Sequence, residues 1–359
     1  MRASWSRNIS APLSRARRDI TYRTVAVASV HEEAPQSDSR VWWTAPPSQV
    51  RLGSRSRLLP GDAAWFDGDR PLDELCRVVC RANFLPRKEL FEALEVGTRI
   101  HERFSKGSEH VPYPYLLDCC AGHGLLAWVL LLLSYPHPEV KTKAFRAVYI
   151  IDRHKPQSAF VLEKAMLMRW SHLASRVRFI ESDLQEIRPN HDSLLVSVHA
   201  CGKLSDVVIR MSTDNSTGLA LMPCCHETRI YAKEIPLVSC GQQESKLKDI
   251  SSQGQYTGTG KWREGWSLAA HRSWEIASII DAERAETLRN RGYKVDVLAI
   301  PEEITPKNRL LVGEPTNNSQ LATGENREYS TPHGSLLRST NLPASPWAYL
   351  KQYPEFSHA

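Results

Sequence analysis

The chain has 359 residues, 42% of them hydrophobic and 24% charged, enough for one large domain with its own core and segments to spare. Its net charge of +6 resides at one end: residues 1–58 hold ten Arg and no Lys against four acids, Asp19, Glu32, Glu33 and Asp38, so the remainder sums to zero. The body therefore lacks the bulk positive charge that marks a nucleic-acid-binding surface. The most apolar run, Leu125–Leu133, is too short to span a bilayer and reads as a buried helix.

Residues 1–18 carry five Arg and four Ser with no acid. This is the composition of an organellar transit peptide, and equally of a basic leader with no address. Residues 1–58 as a whole are expected to be a disordered leader. The eight cysteines include two adjacent pairs at the ends of expected strands, unlike a secreted disulfide framework, which favours a reducing compartment, cytoplasmic or organellar.

From Pro71 to about residue 106 apolar positions recur at helical spacing, with Pro86 dividing two helices. Strands and helices then alternate. Tyr115–Asp118 is a strand and His123–Ser134 a helix; Ala147–Asp152 is a strand whose following helix opens at Pro156. Val177–Glu181, Ser193–His199 and Gly218–Met222 are further strands. The helix between the last two repeats Leu204, Val207, Val208 and Met211 at the i, i+3, i+4, i+7 spacing of a buried face. Residues 241–262, rich in Gln, Ser, Gly and Lys, read as a mobile insertion. A helix over 273–291 ends at Gly292, and Tyr293–Ile300 with Arg309–Gly313 form a closing antiparallel hairpin. The expectation is one Rossmann-like α/β domain over 71–315, a seven-stranded, mostly parallel sheet with helices on both faces, and a disordered tail over 316–359.

The chemistry centres on Asp118-Cys-Cys-Ala-Gly122-His-Gly124, between a strand and a helix. Glycines are wanted there because the backbone must turn tightly and meet a ligand without Cβ atoms intervening. An acid precedes them, Asp152 ends the second strand where ribose hydroxyls are bound, and Asp183 follows the third where an adenine amino group would lie. The third glycine of the dinucleotide fingerprint is missing. That tilts the cofactor away from NAD and toward S-adenosylmethionine, which needs no pyrophosphate seat.

Residues 71–315 resemble class I methyltransferases that carry a His-x-Cys-Gly motif after the fourth strand, here His199-Ala-Cys201-Gly202, and a Cys-Cys pair after the fifth, here Pro223-Cys224-Cys225-His226. The resemblance extends through Arg81-Ala-Asn-Phe-Leu-Pro-Arg-Lys88-Glu89 and Ile304-Thr-Pro-Lys-Asn308-Arg309. Similar proteins include tRNA 2′-O-methyltransferases and the methyltransferase-like region of glutathione S-transferase C-terminal domain-containing protein. Unlike the tRNA enzymes, this chain has no Cys-rich zinc-finger pattern and carries Ala200 where they usually have Leu. The resemblance implies a methyltransferase that uses S-adenosylmethionine to methylate an oxygen or nitrogen, with RNA, such as tRNA, favoured as acceptor only through these relatives. A protein or small-molecule acceptor, or a silent cofactor-binding module, stay open, as does the oligomeric state.

Methyl transfer is an in-line displacement, and the ends of strands four and five border the transferred methyl in this fold. His199 is placed there to remove a proton from an attacking hydroxyl or amine, or else to hydrogen-bond the backbone beneath the pocket. Cys201 and Gly202 shape the loop, with a main-chain group near the amino-acid part of the cofactor. Cys224 invites a thiolate mechanism, as in pyrimidine C5-methylation, without the expected companion motif. The Cys and His set offers zinc ligand types, but adjacent cysteines suit one zinc poorly, so no metal is expected. Trp262 and Trp266, beside Lys261 and Arg263, stack on a nucleobase in one reading and close an apolar lid in the other.

Overall fold

The computed structural model describes residues 42–105, 113–134, 145–223, 226 and 268–316. Its sheet contains β1 (Tyr115–Cys119), β2 (Ala147–Asp152), β3 (Val177–Glu181), β4 (Ser193–Ser197), β5 (Gly218–Leu221), β6 (Tyr293–Ala299) and β7 (Arg309–Pro315), in the order β3-β2-β1-β4-β5-β7-β6. β1 to β5 are parallel, and β7 runs antiparallel to both β5 and β6. This is the expected doubly wound, Rossmann-like sheet with its closing hairpin.

The helices are α1 (Asp73–Ala82), α2 (Arg87–Ser105), α3 (Leu125–Ser134), α4 (Gln157–Arg169), α5 (Lys203–Asn215) and α6 (Leu268–Asn290). Parallel strands covered on both faces carry continuous apolar runs. Leu116, Val148, Leu194 and Ala220 join the core shared with α1 to α4, and their neighbours Leu117, Leu195, Leu219 and Leu221 join the core beneath α5. α3 is apolar all round because it lies between the sheet and α2. Gly97 of α2 permits that approach, since a Cβ there would stand 2.5 Å from Val129.

Boundaries differ from the sequence expectation where side chains cut elements short. α3 begins at Leu125, because His123 and Gly124 make the turn before it. β4 stops at Ser197, whose hydroxyl accepts the Ala200 N–H and bends the chain. Pro156 is the N-cap of α4 and precedes its first turn.

The expected limit of the leader needs correction, since packed structure begins well before residue 58. Trp43 and Leu58 are core residues, and the Thr44 N–H and hydroxyl both donate to buried Asp73 at 2.6 and 2.8 Å. A few apolar anchors and one buried carboxylate suffice to dock an otherwise polar segment. Residues 1–41, the insertion over 241–262 and the tail over 317–359 lie outside the described residues, as do Cys224, Cys225, Trp262 and Trp266. No described helix is long and apolar enough to cross a membrane.

Candidate active site

The chain order reverses between β1 and β4, and at that point an open sheet leaves a crevice beyond its carboxyl ends. The β1–α3 loop and the β4–α5 loop both open there. Cys120, Gly122 and Gly124 have φ of +56°, +56° and +80°, so the first loop is wound through left-handed backbone that favours glycine. Gly124 tolerates no side chain, because a Cβ would lie 2.7 Å from Ile150. Gly122 faces open space, with nothing within 4 Å of the same position.

Asp152 ties this loop to β2: its Oδ2 accepts the Gly122 N–H at 2.9 Å and its Oδ1 the Arg153 N–H at 2.7 Å. The neighbouring amides are also engaged, Ala121 with Ile151 O and Gly124 with Ala121 O. At the start of α3, Leu125 N–H bonds the His123 ring and Ala127 N–H the Asp118 carboxyl at 3.2 Å. A phosphate seat needs such N–H groups unpaired. Here the amides of Ala121, Gly122, Gly124, Leu125 and Ala127 are engaged within the protein, an arrangement that suits a phosphate poorly.

Asp118 is only 2% exposed. Burial pushes its carboxyl up to about 8, against the Ala127 N–H that favours the charged form, with nearby Asp152 adding to the rise. Asp118 lines a pocket together with Glu89, Glu92, Cys120, His123 and His199. Burial first, then the Asp152 charge, pushes the Cys120 thiol up to about 12, so no thiolate forms there near neutrality.

His199 is half-buried, and burial holds its imidazole below the usual histidine range even though Glu92 and Glu89 pull the other way. A neutral imidazole in a pocket is a competent proton acceptor. In the same pocket, Glu89 of α2 pairs with His123 of the β1–α3 loop. Because His123 Nδ1 accepts the Leu125 N–H at 3.1 Å, its ring proton sits on Nε2 and donates to Glu89 Oε2 at 2.8 Å. Burial raises the Glu89 carboxyl, but that hydrogen bond and the surrounding positive groups bring it below its ordinary value.

The other expected site residues are more dispersed. Asp183 lies past β3, where its Oδ1 accepts the Gln185 N–H and its Oδ2 receives the Arg153 guanidinium at 2.6 and 3.0 Å. Those two contacts lower its carboxyl pKa. Gly202 has φ +57° and opens α5, and its carbonyl accepts Arg284 Nη2 at 3.2 Å. Cys201 is exposed. Behind this loop, Asp281 accepts from His226 Nε2 at 2.7 Å and Arg309 Nε at 2.9 Å, while Arg284 Nε donates to Asp206 at 2.8 Å. His226 thus belongs to a buried ionic brace joining α6, β7 and the β4–α5 loop. Among the described residues, no three His, Cys, Asp or Glu side chains gather to hold a metal ion.

Residues 91–229 match the model of a family described as "Methyltransferase domain". Over that stretch, 139 of the 359 residues, the chain is similar to a methyltransferase domain. The cofactor implied by this domain is S-adenosylmethionine, in agreement with the spent amide groups of its glycine loop. Among curated relatives, the domain is 24% identical over 211 residues to a glutathione S-transferase C-terminal domain-containing protein homolog of Drosophila melanogaster, covering 56% of this chain and 33% of that one. It is 22% identical over 219 residues to the human protein of that name, covering 57% and 30%. The chain thus spans about a third of the length of these relatives. Similar solved structures include an O-methyltransferase family protein from Burkholderia thailandensis, with 15% identity over 64% of this chain and 60% of that one and a TM-score of 0.33. Another is magnesium protoporphyrin IX methyltransferase from Synechocystis PCC 6803 with bound SAH, with 13% identity over 63% and 84% and a TM-score of 0.35.

Glu89, Glu92, His123 and Arg153 are site residues that the sequence reading passed over. The only available signal was the Lys88-Glu89 stretch within the motif before β1, where charges on an amphipathic helix look like a solvated face.

Proposed function

We propose that this chain transfers a methyl group from S-adenosylmethionine to an oxygen or nitrogen of its acceptor. The observation that carries this reading is a shared pocket at the switch point, in which a buried carboxyl held near neutrality, Asp118, meets a neutral imidazole, His199. The residues suit the cofactor. Gly122 leaves open the space that a Cβ would fill, and Asp118 is a buried acid that a ligand's ammonium would satisfy.

When bound, S-adenosylmethionine supplies an electrophilic methyl group. Asp152 retains lone pairs for the ribose hydroxyls beyond those that hold Gly122 and Arg153. Asp118 takes the amino group, the main chain at Gly202 borders the amino-acid end, and Asp183 receives the adenine amino group beside Arg153. His199 accepts the acceptor's proton, and Cys201 shapes its loop. A role for Cys224 rests on the motif alone. RNA as acceptor rests on the family resemblance alone, so tRNA is the first substrate to screen.

Calorimetric titration of the chain with S-adenosylmethionine and S-adenosylhomocysteine tests the reading. Both bind, and Asp152→Ala weakens both by about tenfold or more, the worth of a hydrogen bond to a charged group. Unchanged affinity in that variant would remove Asp152 and the clasp around it from the cofactor site.

A further inference from the structure

The pocket holds more acid than the cofactor reading uses. Glu92, on the inner face of α2, is 2% exposed. Its Oε1 pairs with Lys88, one turn earlier, while its Oε2 is buried with no hydrogen-bond partner. A buried carboxylate oxygen without a donor costs several kilocalories per mole unless a ligand satisfies it. Glu89 stands on the same helix, three residues before Glu92, and bonds His123 Nε2 at 2.8 Å. Two carboxyl groups therefore line the pocket, and Lys88 pairs with one oxygen of one of them.

The position of this wall argues against the cofactor's own ammonium as its ligand. Asp118, near the end of β1 just before the glycine loop, lines the same pocket, and one amino group can satisfy it. Glu89 and Glu92 come from α2, across the pocket, and share it with Val198 and His199 at the end of β4. Asp152, Asp183 and Gly122, the residues assigned to the nucleoside, are not among the residues lining this pocket. Glu92, which carries the unsatisfied oxygen, thus lines one pocket with His199, the proposed proton acceptor.

We infer that Glu92, supported by Glu89, is the recognition site for a protonated amine, so that the methyl acceptor is an aliphatic nitrogen carried by a small molecule or a side chain. The inference rests on the methyltransferase reading and narrows it. The ammonium docks on Glu92 Oε2 and passes one proton to the His199 imidazole, which leaves a neutral amine with a free lone pair and a histidinium. The amine lone pair then forms the new nitrogen–carbon bond, while the electron pair of the broken carbon–sulfur bond stays on sulfur. The same anionic wall repels phosphate, which disfavours a polyanionic acceptor at this point of the pocket.

Sinefungin tests the inference without knowledge of the acceptor, because it carries an ammonium where S-adenosylmethionine carries its transferable methyl. S-adenosylhomocysteine shares the cofactor's tail and lacks that group. Titrated into the full chain, sinefungin binds about tenfold or more tightly than S-adenosylhomocysteine, the scale of one charge-assisted hydrogen bond. Glu92→Gln removes most of that preference and leaves S-adenosylhomocysteine affinity within about twofold. Glu89→Gln, at a more exposed position, reduces the preference in the same direction and serves if Glu92→Gln does not fold. Equal binding of the two ligands by the wild type overturns the inference. So does a parallel loss of both in Glu92→Gln, which would assign Glu92 to the tail ammonium that both carry. If a folded chain binds neither ligand nor S-adenosylmethionine, the methyltransferase reading beneath the inference fails as well.

Discussion

Asp118 makes ligand binding a protonation event. Its carboxyl is buried, and burial pushes it up to about 8, so at pH 7 most molecules hold its proton. An ammonium brought against it restores the charged form, and the carboxyl falls back toward the ordinary aspartate range. Binding of S-adenosylhomocysteine at pH 7 therefore releases the greater part of one proton from this group. Calorimetry in phosphate and in Tris reads the number directly, because the observed enthalpy varies with the buffer's ionisation enthalpy with that slope. Asp118→Asn binds with a slope near zero. The sign has a second consequence for stability. A carboxyl raised in the folded state adds stability that is fully present below its unfolded value near 3.8 and is lost as pH rises through about 8. The ligand thus raises Tm more at pH 8 than at pH 5. A wild-type slope of zero, or the same slope in Asp118→Asn, would refute the placement of the ligand's ammonium on Asp118.

Two further outcomes follow from the same geometry. Burial lowers the His199 pKa, so the acid limb of kcat/KM lies below the usual histidine value of about 6.5, and His199→Ala lowers turnover by about 100-fold or more while cofactor affinity holds. An acid limb above neutrality, or full activity in the variant, removes His199 from the proton transfer. Gly124→Ala and Gly122→Ala separate fold from function. Both force an L-residue to positive φ, but only at Gly124 does the added Cβ strike Ile150. Gly124→Ala costs about 2–4 kcal/mol in thermal or denaturant unfolding, whereas Gly122→Ala costs about half that and chiefly weakens cofactor binding. Equal stability losses would show that the contact with Ile150 is relieved by repacking.

Much of this domain was written locally. The period-two and period-3.6 patterns located the strands and helices, because each reflects which face of one element is buried, and a missing glycine was enough to argue against a dinucleotide. Asp118, Gly122, Gly124 and Asp152 stood out as candidates because strand-end acids and turn glycines occupy set positions in the loops of such a sheet. The limits of elements were less legible: His123 and Ser197 shorten α3 and β4 through side-chain bonds that periodicity does not contain. Trp43 and Leu58 looked like parts of a polar leader because two anchors in such a segment make no pattern of their own.

What only the tertiary structure decided is which distant residues share the pocket. The sheet order β3-β2-β1-β4-β5-β7-β6 sets β1 beside β4, and this brings His199 to a loop about eighty residues earlier in the chain. α2 packs over α3, so Glu89 reaches His123 across 34 positions and Glu92 faces the same cavity. In sequence those acids were ordinary charges on an amphipathic helix. Their role depends on burial and on the loss of water, and both arise only when the helix is laid against the mouth of the sheet.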